Sequence, residues 1–202
     1  MISSDESDPD AWLGGRLPLL HPANLTTEQQ QVYQYIRDTK FATKKADFQA
    51  DLPDGRLLGS FNAFLYSPKL GQGFLNWIDA ESQHTSLSAP VRRIVILTVA
   101  SAWHAAAELY GHTAMGLAMG LSAATISAIK EGREPAGLPE PEAAAYRFTR
   151  ALVTQQQVPD SLYQPAVAAF GLSGVVDLVH LIGHYLTTSA LLAAFAVPAP
   201  SS

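Results

Sequence analysis

Apolar residues along this chain recur at three- and four-residue intervals, the spacing of helices that bury one face. "LTTEQQQVYQYIRDT" opens on a Thr cap with Glu and Gln in its first turn and predicts a helix over about 26–39. Residues 40–60 hold Pro53, Gly55 and Gly59 among scattered charges and read as a long irregular connection. "SFNAFLYSPKLGQGFLNWIDAESQHT" predicts a short helix to Tyr66, a break at Ser67-Pro68 and a second helix through about His84. Ser88 then caps an apolar helix with Pro90 in its first turn. "AMGLS" (118–122) and "AFGLS" (169–173) are near copies, 51 residues apart, in which Gly ends one helix and Ser caps the next. Between them lie the surface loop "EGREPAGLPEPE" and a helix over about 140–157, and a last helix covers about 173–196. Strand-like alternation is absent. The expected architecture is all-α, a helical bundle in one domain over 16–198, after a disordered tail at 1–15.

Composition narrows the class. Of 202 residues, 48% are apolar and only 15% charged, so there is a large core to build. The net charge of −5 carries no basic stripe, which argues against nucleic acid. The acidic start "MISSDESDPD" is the reverse of a secretory leader, and the apolar runs look broken before the ~20 residues a membrane span needs. The expectation is a soluble, cytoplasmic protein with no membrane partner. So few charges also predict apolar surface closed against further copies of the chain. With no cysteine, disulfides, thiolate metal sites and thiol peroxidase chemistry are excluded.

One stretch departs from a core pattern. "SAWHAAAELYGHTAMGLAMGLS" (101–122) is Ala-rich, yet carries His104, Glu108 and His112 four residues apart, which on one helix would share a face. A carboxylate that accepts from one imidazole nitrogen fixes the tautomer and leaves the other nitrogen for a substrate proton. Equally, such a pair can satisfy itself inside a bundle, and His104 alone can be a helix-terminus residue. "VVDLVHLIGHYL" places Asp177, His180 and His184 on another apolar helix. Burying these groups is costly unless each is paired, so either local hydrogen bonds hold them or both helices face one pocket. The catalytic reading requires Glu108 and His112 to line a hollow that small molecules can enter. A metal site would use the same His, Glu and Asp residues, but their spacing departs from both His-Glu-x-x-His and Glu-x-x-His, so no metal and no cofactor is expected. Of Arg92 and Arg93, one should point outward and the other meet an anionic group. Tyr66, Trp77 and Trp103 read first as core, with Tyr66 and Trp103 retained as candidate substrate contacts.

"LSAPVRRIVILTVASAWHAAAELYGHTAMGLAMGLS" resembles the carboxymuconolactone decarboxylase family, within the superfamily that includes the AhpD alkylhydroperoxidases. Arg92, Ile96, Leu97, Trp103, Glu108, His112 and Gly120-Leu121-Ser122 fall in register with the family pattern. "GGRLP", "FNAFLYSPKLG" and "DLVHLIGHYLTTSALLAAFAVPAP" resemble its longer, cysteine-free members, so the likeness covers nearly the whole chain. In peroxidatic members a Cys-x-x-Cys occupies the positions of Ala105 and Glu108, and a relay Glu that of Arg93. Lactone decarboxylases also lack the thiols and use His with Arg or Glu groups, without a cofactor. The resemblance implies a helical fold assembled into trimers or hexamers, sometimes dimers, with pockets near subunit contacts. It also implies a cofactor-free acid/base enzyme acting on a lactone, keto or carboxylic acid by decarboxylation, isomerisation or elimination. His112, oriented by Glu108, would move the proton. Arg93 or Arg92 would hold a carboxylate or enolate oxygen, and His104, His180 or His184 would be the second acid. A binding or scaffold protein that lost its chemistry, or a metal-dependent hydrolase, are the alternatives.

Overall fold

The computed structural model describes residues 8–42 and 48–200. Its helices are α1 (Thr27–Ile36), α2 (Ser60–Tyr66), α3 (Pro68–His84), α4 (Ala89–Ala102), α5 (Ala106–Ala118), α6 (Ala123–Lys130), α7 (Glu140–Gln155) and α8 (Asp160–Ala194). Among the described residues the only β-type pairing is one isolated bridge between Asp51 and Leu57. The chain is thus all-helical, as the hydrophobic spacing predicts.

Side-chain caps form at three of the eight helix starts. Thr26 and Gln29 form a reciprocal capping box on α1. Ser88 and Ser122 each accept a backbone N–H in the first turn of α4 and α6. Helix α4 is apolar almost all round, and such a helix belongs in the centre. Ile94, Val95, Leu97, Val99 and Ala100 are fully buried there, and α4 packs against α5, α6, α7 and α8. Each buried Ile or Leu contributes roughly 1.5–3 kcal/mol relative to exposure. One apolar cluster joins α4, α7 and α8; a second joins α1, α2 and α3.

Three expectations change. The disorder expected over 1–15 does not hold for residues 8–15. From Asp8 onward the segment is pinned, with Arg56 paired to Asp8 and Leu13 buried; residues 1–7 lie outside the described part. The connection over 40–60, of which 43–47 also lie outside it, is irregular over 48–59 as expected and anchored on the core by buried Leu52, Leu57 and Leu58. Tyr66 and Trp103 are not core, being each 40% exposed, and the Tyr66 hydroxyl donates to the Pro18 carbonyl at 2.6 Å.

Helix α8 gives the third. Gly171 (φ 67, ψ 175), in a region open essentially to glycine alone, splits it into two helices that meet at a kink, as the "AFGLS" turn predicts. Taken together, the 35 residues are long and apolar enough by composition to cross a membrane, where broken apolar runs were expected. In this fold α8 instead packs on α2, α3, α4 and α7. Only 33% of its most apolar window is buried within the chain, and Leu172, Val176 and Val179 form an exposed stripe.

Candidate active site

The 101–122 stretch does not form one helix. Helix α4 stops at Ala102, and His104 adopts a left-handed backbone (φ 52). The His104 N–H donates to the Ser101 carbonyl at 3.1 Å and the Ala105 N–H to Ala100 at 2.9 Å, the paired bonds of a Schellman turn. His104 is therefore a helix-terminus residue with an exposed side chain, off the face of Glu108 and His112. The three-rung ladder is not built. No glycine marks this turn, and alanines on both sides favour helix, which is why the sequence hides it. Relieving the left-handed backbone with His104→Gly is expected to raise stability by up to ~1 kcal/mol and leave turnover unchanged. Thermal melting and steady-state rates check both; a rate loss would restore His104 as an acid.

The lower two rungs do meet. On α5 the His112 Nε2 lies 3.0 Å from the Glu108 Oε2, one turn earlier. The other ring nitrogen is occupied as well, because the Arg93 Nη1 on α4 donates to the His112 Nδ1. A guanidinium has no lone pair to offer, so Nδ1 is the acceptor and the ring proton sits on Nε2, directed at Glu108. The result is a buried relay, arginine to imidazole to carboxylate. Burial holds His112 below the ordinary imidazole range, with Glu108 opposing and Arg93 adding to the depression. Burial also lowers Arg93.

Helix α8 closes the relay on a third side. Tyr185 sets its ring edge-on to His112, with centroids 5.1 Å apart, and stacks on His184 at 4.4 Å. His184 packs further on Phe74 and Trp77 and is 3% exposed. Its Nδ1 is buried without a partner, and burial, foremost, lowers its pKa to about 3. Burial raises the Tyr185 phenol. The two histidine-bearing helices thus meet through Tyr185. An aromatic on an apolar helix reads as core, so Tyr185 gave no separate signal.

Arg92 and Arg93 part company, though neither simply points outward. Arg92 binds Glu81 of α3 at 2.7 Å, and the Glu81 side chain is only 3% exposed. Burial raises the Glu81 carboxyl, against the pull of Arg92. Asp177 is spent locally: one oxygen accepts from the Ser86 N–H and hydroxyl, each at 2.8 Å. His180 is exposed and faces Trp77. It lines an open cleft of about 220 Å³ with Trp77, Ala80, Glu81, His84, Thr85 and Asp177. Glu108 and His112 do not line that cleft; their side chains keep 10% and 12% exposure. Trp103 and Tyr66 stand apart from the relay on the surface. Among the described residues no group of three or more His, Asp or Glu side chains is arranged to hold a metal ion.

No family model matches the sequence, and no curated protein does. Solved structures do match in shape. A protein of unknown function from Agrobacterium tumefaciens, a candidate antioxidant defence protein AhpD, superposes with a TM-score of 0.64 at 19% identity, over 70% of this chain and 97% of that one. An uncharacterized peroxidase-related protein from Ralstonia eutropha JMP134, described as an alkylhydroperoxidase AhpD core, gives 0.72 at 13% identity and 92% coverage of both. A peroxidase-related protein from Silicibacter sp. TM1040 gives 0.69 at 13%, covering 93% of both. At these identities the likeness establishes an AhpD-like helical fold. Shared fold leaves chemistry to the site. The narrower likeness to lactone decarboxylases rests on the sequence motifs.

Proposed function

We propose that this AhpD-like chain, which has no thiol to attack a peroxide, is a cofactor-independent acid/base enzyme for a small lactone, keto or carboxylic acid. The observation that carries this is the 3.0 Å contact between Glu108 and His112, continued to Arg93, inside a mostly buried cluster of α4, α5 and α8. In such surroundings a proton taken from a carbon beside a carbonyl passes to the imidazole, while Glu108 steadies the imidazolium. The electron pair left on carbon spreads onto the carbonyl oxygen, where the Arg93 guanidinium supplies donors and charge. Loss of carbon dioxide from a β-keto or lactone acid leaves the same enolate. Of the two arginines only Arg93 is placed for this, since Arg92 is tied to Glu81. His184 meets Tyr185 by ring stacking, with no hydrogen bond between them, and its ring stays neutral, so it offers no proton to a substrate. The open cleft beside His180 is lined by none of Arg93, Glu108 and His112, so a substrate reaches the relay only if the cluster around it opens.

The test is turnover of carboxylated lactones and β-keto acids, followed by ultraviolet absorbance and carbon dioxide release. Saturable turnover that depends on His112 supports the reading; none across the panel removes it. One observation favours a rival, since both ring nitrogens of His112 already have partners, as in a purely structural network. In that case ligands bind and nothing is turned over.

Assembly belongs to the same proposal. Leu172, Val176 and Val179 on α8, with Leu117 and Met119 at the end of α5, leave large apolar side chains in water. We expect further copies to cover them in a trimer or hexamer, or a dimer. Light scattering after gel filtration should give a multiple of the 21.6 kDa chain, and Val176→Glu with Val179→Glu should reduce it. A wild-type mass of one chain would remove the expectation.

A further inference from the structure

Within the described part of the chain Arg37, Lys40, Arg56, Arg92, Arg133 and Arg147 each reach a carboxylate directly, whereas Arg16, Lys130, Arg150 and Arg93 do not. Of these four, Arg93 is set apart by a buried guanidinium nitrogen with no acceptor. Among the described residues Arg93 reaches none; its only side-chain hydrogen bond is to the His112 Nδ1. Its Nε is buried with no acceptor. A guanidinium is built for bidentate contact with a carboxylate, and a half-buried one lacking it is an anion site in waiting. The same group meanwhile covers the one imidazole nitrogen that Glu108 does not use. A base cannot take a substrate proton through a nitrogen already accepting a hydrogen bond.

We propose that Arg93 masks the His112 Nδ1 in the resting protein, and that a carboxylate ligand draws the guanidinium onto itself and so frees that nitrogen to act as the base. This rests on the acid/base reading and deepens it, naming small carboxylic acids as the ligand class and Arg93 as the residue that selects them. A neutral analogue cannot draw the guanidinium away and leaves the base covered.

The charges around the ring give the proposal a sign. His112 faces Glu108 on its own helix and Arg93 on α4, with Arg92 beyond, itself paired to Glu81 of α3. From α8 it faces Tyr185 and, behind it, His184. Of these, Arg93 is the cation in contact, and it disfavours a second positive charge on the ring. A carboxylate that neutralises Arg93 and uncovers Nδ1 therefore makes protonation of His112 easier. By linkage, proton binding at His112 then tightens carboxylate binding by the same factor.

The experiment uses the full chain, glutarate as probe and its neutral diamide as control. Side-chain nitrogen resonances of labelled histidine report the tautomer and midpoint of His112. Calorimetry in two buffers of different ionisation heat reports protons taken up on binding. Glutarate is expected to bind with net proton uptake and to raise the His112 midpoint by about one unit or more. The diamide should do neither. Arg93→Gln should weaken glutarate at least tenfold and abolish the midpoint shift, whereas Arg93→Lys, which keeps the charge, should retain part of both. For any carboxylic acid substrate, the acid limb of kcat should lie at higher pH than that of kcat/KM, since the first reports the bound and the second the free enzyme.

Glutarate that binds without moving His112, binds equally well to Arg93→Gln, or fails to bind at millimolar concentration overturns the proposal. The two readings fail separately. His112-dependent turnover with an unmoved midpoint sinks the mask and keeps the enzyme. A moved midpoint with no turnover across the panel sinks the enzyme and leaves a carboxylate-binding protein.

Discussion

Replacing His112 with alanine is expected to lower kcat/KM by about 10²–10⁴-fold on any carboxylated lactone or β-keto acid the protein turns over, the usual worth of a general acid or base. Each tenfold of that loss is about 1.4 kcal/mol of transition-state stabilisation. The fold should survive, because Glu108 and Arg93 remain as opposite charges able to approach each other across the space the ring leaves. Circular dichroism and a melting curve check this before rates are compared. Glu108→Gln keeps the volume and removes only the charge that steadies the imidazolium, so a smaller loss, roughly 10–10²-fold, is expected. The pH dependence carries a definite sign. Burial holds His112 below the ordinary imidazole midpoint and Glu108 partly restores it. The unprotonated base therefore persists at neutral pH, and kcat/KM falls only as pH drops below about 6.5. Removing the Glu108 charge should move that acid limb further down. A His112→Ala enzyme within threefold of wild type would end the catalytic assignment of this residue.

What the sequence disclosed and what it hid divide along a physical line. Three helix starts were legible because capping is local: Thr26, Ser88 and Ser122 each cap a helix within three residues of themselves. The Glu108–His112 contact was legible for the same reason, since four residues on a helix fix it. The turn at His104 was not, because a non-glycine residue there is held left-handed by two carbonyl bonds that no composition rule anticipates. Gly171, by contrast, was legible: it leaves the helical region where "AFGLS" ends one helix and begins the next. Whatever depends on two distant segments was invisible. The burial of Glu81 needs Arg92 from the next helix. The contact of Arg93 with His112 joins α4 to α5, and Tyr185 enters from α8. The sequence supplied candidate ionisable groups; only the packing decides which are spent on one another and which stay available to a ligand.

The second large effect is on stability in mild acid. His184 is an imidazole kept neutral among Phe74, Trp77 and Tyr185, with a midpoint lowered to about 3 from an ordinary 6.5, chiefly by burial. In the unfolded chain the same ring takes up a proton near pH 6.5, so below that value the unfolded state binds more protons and gains on the native one. The loss begins as pH falls through 6.5 and continues until the native ring itself titrates near pH 3. Each pH unit within that window costs up to ~1.4 kcal/mol from this group alone, and His112, shifted in the same direction, adds to it. Between pH 7.5 and 5.0 we expect unfolding free energy to drop by about 2 kcal/mol through His184, a large share of the stability of an ordinary domain. That interval lies above the range in which ordinary carboxylates titrate, which isolates the histidines. Urea denaturation at the two pH values measures the drop. His184→Phe keeps an aromatic ring in the stack and removes both the titrating group and the orphaned Nδ1, so it should flatten the profile and stabilise the protein at pH 5.0. An equal drop in wild type and His184→Phe would mean that this ring is not the acid-sensitive element, and that the aromatic stack around it admits enough water to charge it in the native state.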